Sequence, residues 1–139
     1  MAEALKLRAE DEEDLAVISS CLQDALVPLA DMRYERAAGR FVFAVNRFRW
    51  EASRGNTFER VACGISFEGV RKVSLRGIAQ SRRDQPLELL AVVAEEGGRA
   101  VRLVFAGGGV IRLEVDALHC RLEDFGEPWP TQWRPQHRA

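Results

Sequence analysis

Val101-Arg102-Leu103-Val104-Phe105-Ala106-Gly107-Gly108-Gly109-Val110-Ile111-Arg112-Leu113-Glu114-Val115-Asp116 is the stretch that decides the fold. Val101, Leu103 and Phe105 alternate with Arg102 and Val104. Beyond the glycines, Ile111, Leu113 and Val115 alternate with Arg112, Glu114 and Asp116. A period of two gives a strand one buried and one wet face, and a glycine-rich break between two such runs reads as a hairpin. Leu118, Cys120 and Leu122 continue the pattern towards Phe125. No nucleophile, acid–base pair or metal cluster sits at a strand end, so the run reads as scaffold.

Working outward, Glu95-Glu96-Gly97-Gly98 is a turn, and Leu87 to Ala94 is apolar enough for a central strand covered on both faces. Val61, Cys63, Ile65 and Phe67 alternate up to a turn at Gly69, after which Val70, Val73 and Leu75 resume. Met32 to Glu35 reads as a strand, Ala38-Gly39 as a turn, and Phe41, Phe43 and Val45 as the next strand. Phe48 and Trp50 then fall on even positions, which predicts a bulge or bend near Asn46-Arg47 that leaves Arg47 and Arg49 sharing the opposite face. Leu5 to Arg8 reads as a short first strand. Between it and Pro28, Leu15, Ile18, Leu22 and Leu26 form one stripe of a helix expected to end by about Leu26. The carboxylates of Glu10 to Asp14 crowd its first turn, where the helix dipole favours them. Short connections make antiparallel pairing the default. The reading is an α+β fold: a mostly antiparallel β-sheet of seven to eight strands, a roll or partly closed barrel, with one N-terminal helix. Residues 1–139 form a single domain, with 126–139 an extended Pro/Trp tail packed on it.

The chain has 139 residues, 47% apolar and 29% charged, enough to bury a core without staples. Its apolar runs fall short of the roughly 20 residues that cross a bilayer, so no membrane is expected. Met1-Ala2-Glu3-Ala4 lacks the basic start and apolar core of a secretory signal. Cys21, Cys63 and Cys120 are dispersed among apolar neighbours, which suits reduced thiols and a cytoplasmic location. The net charge of −1 hides a segregation. Residues 1–32 carry two basic and eight acidic side chains (net −6), 33–83 twelve and four (net +8), and 84–139 six and nine (net −3). Only Lys6 and Lys72 among the 20 basic residues are lysine, a bias that GC-rich coding produces more often than selection for guanidinium forks.

Catalytic chemistries find little support. His119 and Cys120 are neighbours on a strand and point to opposite faces, so Cys120 reads as an inert buried thiol and His119 as outward. The Cys and His residues lack the close pairs of a zinc site, and Gly107–Gly109 lacks the Lys-Ser/Thr and helix of a phosphate loop. Glu123-Asp124 and Glu95-Glu96 sit at turns or strand ends and read as solvated. No catalytic residue, metal or cofactor is expected.

Several strings resemble a family of small bacterial proteins: Glu13-Asp14-Leu15-Ala16-Val17-Ile18-Ser19 with Leu22-Gln23-Asp24-Ala25, Asn46-Arg47-Phe48-Arg49-Trp50-Glu51, Leu87-Glu88-Leu89-Leu90-Ala91, Phe105-Ala106-Gly107-Gly108-Gly109 and Pro128-Trp129-Pro130-Thr131. The family is a domain of unknown function, numbered twenty-nine forty-eight, and the resemblance runs from about Leu5 to His137. It implies a small intracellular bacterial protein with no assigned activity, catalytic residue or cofactor.

Function is therefore sought on the cationic middle. Arg47, Arg49, Trp50, Arg54, Arg71 and Arg76 are the candidate binding residues, on a sheet face that would engage an acidic protein or a nucleic acid. The opposing arrangement has the aromatics in the core and the arginines paired with Glu51, Glu59 and the acidic helix. An alternative function is a small-molecule-binding protein or small enzyme with a pocket near Arg54–Thr57 and Trp129. Self-association through an exposed strand, giving a homodimer, is a further option.

Overall fold

The Asp11 side chain opens the helix by accepting a hydrogen bond from Asp14 N at 2.8 Å, with Glu12, Glu13 and Asp14 in the first turn. The structure, a computed structural model, describes residues 4–52, 57–79 and 85–131. Helix α1 spans Glu12–Cys21 and stops a turn earlier than the apolar stripe suggests. Asp24 adopts a left-handed backbone (φ 63°), and Ala25–Pro28 is strand β2. Leu26 therefore belongs to a period-two run and leaves the helical stripe. Pro28 ends a strand, not a helix.

Ten strands form one antiparallel sheet: β1 Lys6–Ala9, β2, β3 Arg33–Glu35, β4 Arg40–Phe48, β5 Phe58–Phe67, β6 Val70–Arg76, β7 Pro86–Glu95, β8 Ala100–Phe105, β9 Val110–Val115 and β10 Cys120–Thr131. The α+β class and antiparallel sheet match the sequence reading. The strand count is higher because β1, β2 and β3 are stubs of three or four residues. The order is β1-β10-β5-β4-β2-β7-β8-β9-β6, with β3 also paired to β4. Only Glu68 and Gly69 separate β5 from β6, which lie six places apart in that order. In a flat sheet that separation would be about 29 Å, whereas three Cα steps reach about 11 Å. The sheet must therefore roll. Val70 N donates to Gly39 O at 2.8 Å, Tyr34 Oη to Val70 O at 3.0 Å and Asp116 N to Gly69 O at 2.9 Å, which pins the rolled edge.

The concave face carries the core: Phe41, Phe43 and Val45 of β4, Cys63, Ile65 and Phe67 of β5, Leu103 and Phe105 of β8, Ile111 and Leu113 of β9. Leu15 and Ile18 of α1, with Leu22 at its C-cap, pack into the same cluster, and Ser19 Oγ accepts the Val92 N–H of β7 at 2.9 Å. The region from Gly126 onward runs as the far end of β10 to Thr131. There Trp129 lies opposite Arg60 after a register shift.

One expectation fails instructively. β4 and β5 pair without a break from Phe41↔Phe67 to Phe48↔Arg60, so there is no bulge at Asn46-Arg47. The alternation continues through Arg47, which takes the core-facing position after Val45. Phe48 is buried on the other face, against Trp50 and Phe58 at ring-centroid distances of 4.6 and 5.9 Å. Two buried faces, not a slip, account for the pattern.

Candidate functional site: an interior arginine cluster and an outer arginine face

The candidate residues divide into two groups that the fold keeps apart. Arg47 is fully buried, and all five of its N–H donors are used. Nε donates to Asp124 Oδ1 at 2.8 Å and Nη2 to Oδ2 at 2.7 Å, a bidentate fork across β5. Nη1 and Nη2 reach Glu51 Oε1 and Oε2 at 3.0 and 2.6 Å, and Nη1 also reaches Phe48 O at 3.3 Å. Asp124 further accepts Leu5 N–H at 3.0 Å, tying the start of the chain to β10. Arg49 pairs with Glu59 and lies 3.8 Å from Glu51, extending a chain of alternating charge. Trp50 Nε1 donates to Gln23 O at 3.3 Å, beyond the end of α1.

Burial pushes the Asp124 carboxyl up, but the Arg47 fork and the Leu5 N–H outweigh it and hold it below its ordinary value. Glu51 is likewise raised by burial and brought down further by Arg47. Burial disfavours the Arg47 cation, yet both carboxylates more than restore it. Cys63, between Val45 and Asp124 across the strands, is pushed well up by burial. Every charge here is held by another, and the arrangement is a clasp joining β1, β4, β5 and β10. Its partners include Glu51 and Glu59, as the opposing arrangement supposed, while the third carboxylate comes from β10 and not from the acidic helix.

The second group lies on the outer face of the other half of the roll. β6 pairs with β9 through Lys72↔Glu114, Ser74↔Arg112 and Arg76↔Val110, and β8 pairs with β9 through Arg102↔Arg112. Two arginines thus stand directly opposite each other, with Ser74 beyond Arg112 and Arg76 on the diagonal. Like charges so placed repel. Their carboxylate partners are loose: Arg102 Nε lies 3.7 Å from Glu95 and Arg112 3.7 Å from Glu114, with one closer contact, Arg112 to Glu96 at 3.0 Å. Arg102 Nε is enclosed by protein and makes no hydrogen bond among the described residues. Arg76 is exposed and has no ion pair among the described residues. Ser74, Leu75, Arg76, Arg102, Val110 and Arg112 line a cavity of about 290 Å³. Arg71, also exposed, lies 3.4 Å from Asp116. A wider groove of about 630 Å³ over β4, β5 and β10 is floored by Ala44 and Gly64, but sets Asp31 and Glu123 against Arg121.

Arg54 lies outside the described residues, as do Arg82 and Arg83. No cluster of three or more metal-ligating side chains occurs among the described residues. Cys120 is buried, which pushes its thiol up to about 12. His119 is half-buried, and its Nε2 has no hydrogen-bond partner.

A family model described as a protein of unknown function, DUF2948, matches residues 5–137. The chain belongs to that family. No curated protein and no solved structure matches it. The matched span contains both the clasp and the outer arginine face. No described helix is long and apolar enough to cross a membrane.

Residue reading took Asp124 for a solvated carboxylate, whereas it is buried against Arg47, and passed over Arg102 and Arg112. A signal existed for each. Asp124 continues the buried run Cys120, Leu122, just as Arg47 continues Phe41, Phe43, Val45. Opposite charges ending two buried runs are the mark of a buried ion pair. Arg102 and Arg112 each lie five residues from Gly107, so a hairpin register centred there makes them partners.

Proposed function

We propose that the chain is a non-enzymatic interaction domain of the bacterial cytoplasm that binds an acidic segment of a protein partner through the outer face of β7, β8, β9 and β6. The observation that carries this reading is the Arg102↔Arg112 cross-strand pair with Arg76 beside it. An incoming carboxylate relieves the repulsion, and guanidinium forks accept it bidentately. Exposed ion pairs such as Lys72–Glu114 at 3.9 Å contribute about 0–1 kcal/mol each, so exchanging them for partner groups costs little. Val93, 37% exposed, and the part-buried Val104 and Val110 supply aliphatic contact beside the arginines. No aromatic side chain of β6 to β9 faces outward, since Phe105 is buried. Stacking platforms are how single-stranded nucleic acid is gripped, so a protein segment suits this face better. Free cysteines at 21, 63 and 120 accord with a reducing compartment.

Fluorescence anisotropy with a labelled glutamate/leucine peptide tests the proposal, with a single-stranded oligonucleotide of equal charge as competitor. The peptide is expected to bind, to weaken with rising salt, and to lose at least tenfold in affinity with Arg76→Gln/Arg102→Gln. Unchanged affinity in that variant, or preference for the oligonucleotide, refutes it.

A second reading, a small-molecule pocket beside Trp129, is favoured by that ring standing opposite Arg60 and partly exposed. Ligand-induced change in tryptophan fluorescence, abolished by Trp129→Leu, is its test.

A further inference from the structure

We infer that the cavity between Arg76, Arg102 and Arg112 is a phosphoryl-binding subsite, and that the acidic partner anchors there through a phosphorylated side chain. The inference rests on the reading of the outer face given above. Arg76, Arg102, Arg112 and Ser74 line one cavity. A carboxylate offers two oxygens and one negative charge. A phosphoryl group offers three acceptor oxygens and a charge of about −1.5 to −2, which suits a cavity that three arginines line. Arg112 is held by Glu96 at 3.0 Å and lies 3.7 Å from Glu114, contacts that a ligand displaces, while the other two arginines are less engaged. Among the described residues, Arg102 Nε is enclosed without a hydrogen bond, its carboxylate neighbour Glu95 lies 3.7 Å away, and Arg76 has no ion pair. The register fixes the geometry. Arg102 and Arg112 are direct partners, Ser74 stands opposite Arg112, and Arg76 follows two residues along β6. The donors therefore come from three adjacent strands of a paired sheet, a rigid support. At about 290 Å³ the cavity exceeds a phosphoryl group, and Leu75 and Val110 in its wall can receive the carbon chain that carries it.

The test uses the whole chain and three probes: a glutamate-rich peptide with one central phosphoserine, the same peptide unphosphorylated, and inorganic phosphate. Affinities come from anisotropy, and the free-phosphate arm is read as a shift in melting temperature against chloride at equal ionic strength. The phosphorylated peptide is expected to bind at least tenfold more tightly, with that preference lost in Arg76→Gln and Arg102→Gln. Arg76→Gln touches only an exposed residue, so it reports even if the second variant folds poorly. Equal affinity for both peptides overturns the subsite while leaving the acidic-segment reading intact. Stabilisation by inorganic phosphate with no binding of either peptide keeps the subsite, assigns it to a free phosphate and overturns the protein-segment reading. No response to any probe overturns both.

Discussion

Replacing Arg47 by methionine isolates the clasp. In the native chain the guanidinium is wholly buried and holds both oxygens of Asp124, whose side chain is itself only 2% exposed. Methionine fills much of the volume but leaves that carboxylate with only the Leu5 N–H and the Cys63 thiol beside it. Removing one member of a buried pair costs about 3–5 kcal/mol, because the other charge is left in low dielectric. For a chain of this size that is a fall in melting temperature of about 10–15 °C. Replacing both members by apolar residues removes the stranded charge. Arg47→Met/Asp124→Val is therefore expected to be more stable than either single variant, and within about 2 kcal/mol of the native chain. Urea unfolding followed by tryptophan fluorescence gives all the values. Should Arg47→Met fail to fold, Asp124→Asn gives a milder arm, losing about 1.5–3 kcal/mol through weaker charge-assisted bonds. A loss below about 1 kcal/mol for Arg47→Met, or simple additivity in the double variant, refutes the reasoning.

The same carboxylates set an acid limit. Asp124 and Glu51 titrate below their ordinary 3.8 and 4.5 in the folded chain, so their stabilisation is complete above those values and lost as pH falls through the lower folded ones. Unfolding free energy should begin to drop below about pH 5 and keep falling as the pH passes the lower folded values, more gently in Asp124→Asn, and identical slopes contradict this. At Gly109 an added Cβ would meet Ile78 Cγ1 at 2.8 Å and Gly77 O at 3.3 Å, so Gly109→Ala should cost about 1–3 kcal/mol in thermal unfolding. A neutral result there would mean that the turn holding β9 beside β6 gives way. Burial pushes all three thiols up, but Cys21 is only half-buried, so alkylation of the native protein at mildly alkaline pH should label it first and spare the buried Cys63 and Cys120. Mass spectrometry showing Cys120 labelled as fast as Cys21 contradicts the core assignment.

The sheet was legible in the sequence because its inner faces keep strict alternation: Phe41, Phe43, Val45; Cys63, Ile65, Phe67; Val101, Leu103, Phe105; Ile111, Leu113, Val115. Stubs were not. Ala25–Pro28 is four residues, too few for a period to separate strand from helix, and Leu26 happened to fit the stripe of α1. Leu87 to Ala94 read as covered on both faces because it is nearly all apolar. An irregularity between Leu89 and Ala91 instead leaves Leu90 and Val93 largely exposed. The clasp was half legible. Arg47, Arg49, Glu51 and Glu59 were in view, but a rule that places apolar residues inward turned a buried arginine into a supposed bulge. Asp124 was hidden because its partner is 77 positions away, a distance only the β5 register bridges.

Net charge per segment pointed to residues 33–83 as the cationic surface, and the fold shows why that unit misleads. Arg47 and Arg49 face inward or sideways into carboxylates, Arg60 is buried with Nη1 on Asn46 O, and Arg40 is held by Glu68 at 2.6 Å. Four of the segment's twelve basic side chains are thus held by groups of the chain itself. Arg102 and Arg112 belong to a segment that is acidic overall, yet the period of two puts them on one face of the sheet while Leu103 and Leu113 occupy the other. A strand face, not a stretch of sequence, is what a partner meets. Counted by face, Arg76 of the basic segment joins Arg102 and Arg112 of the acidic one, and three strands assemble a cationic site that no single segment contains. The hairpin that decides the fold therefore also carries two thirds of the guanidinium groups on which the proposed binding depends.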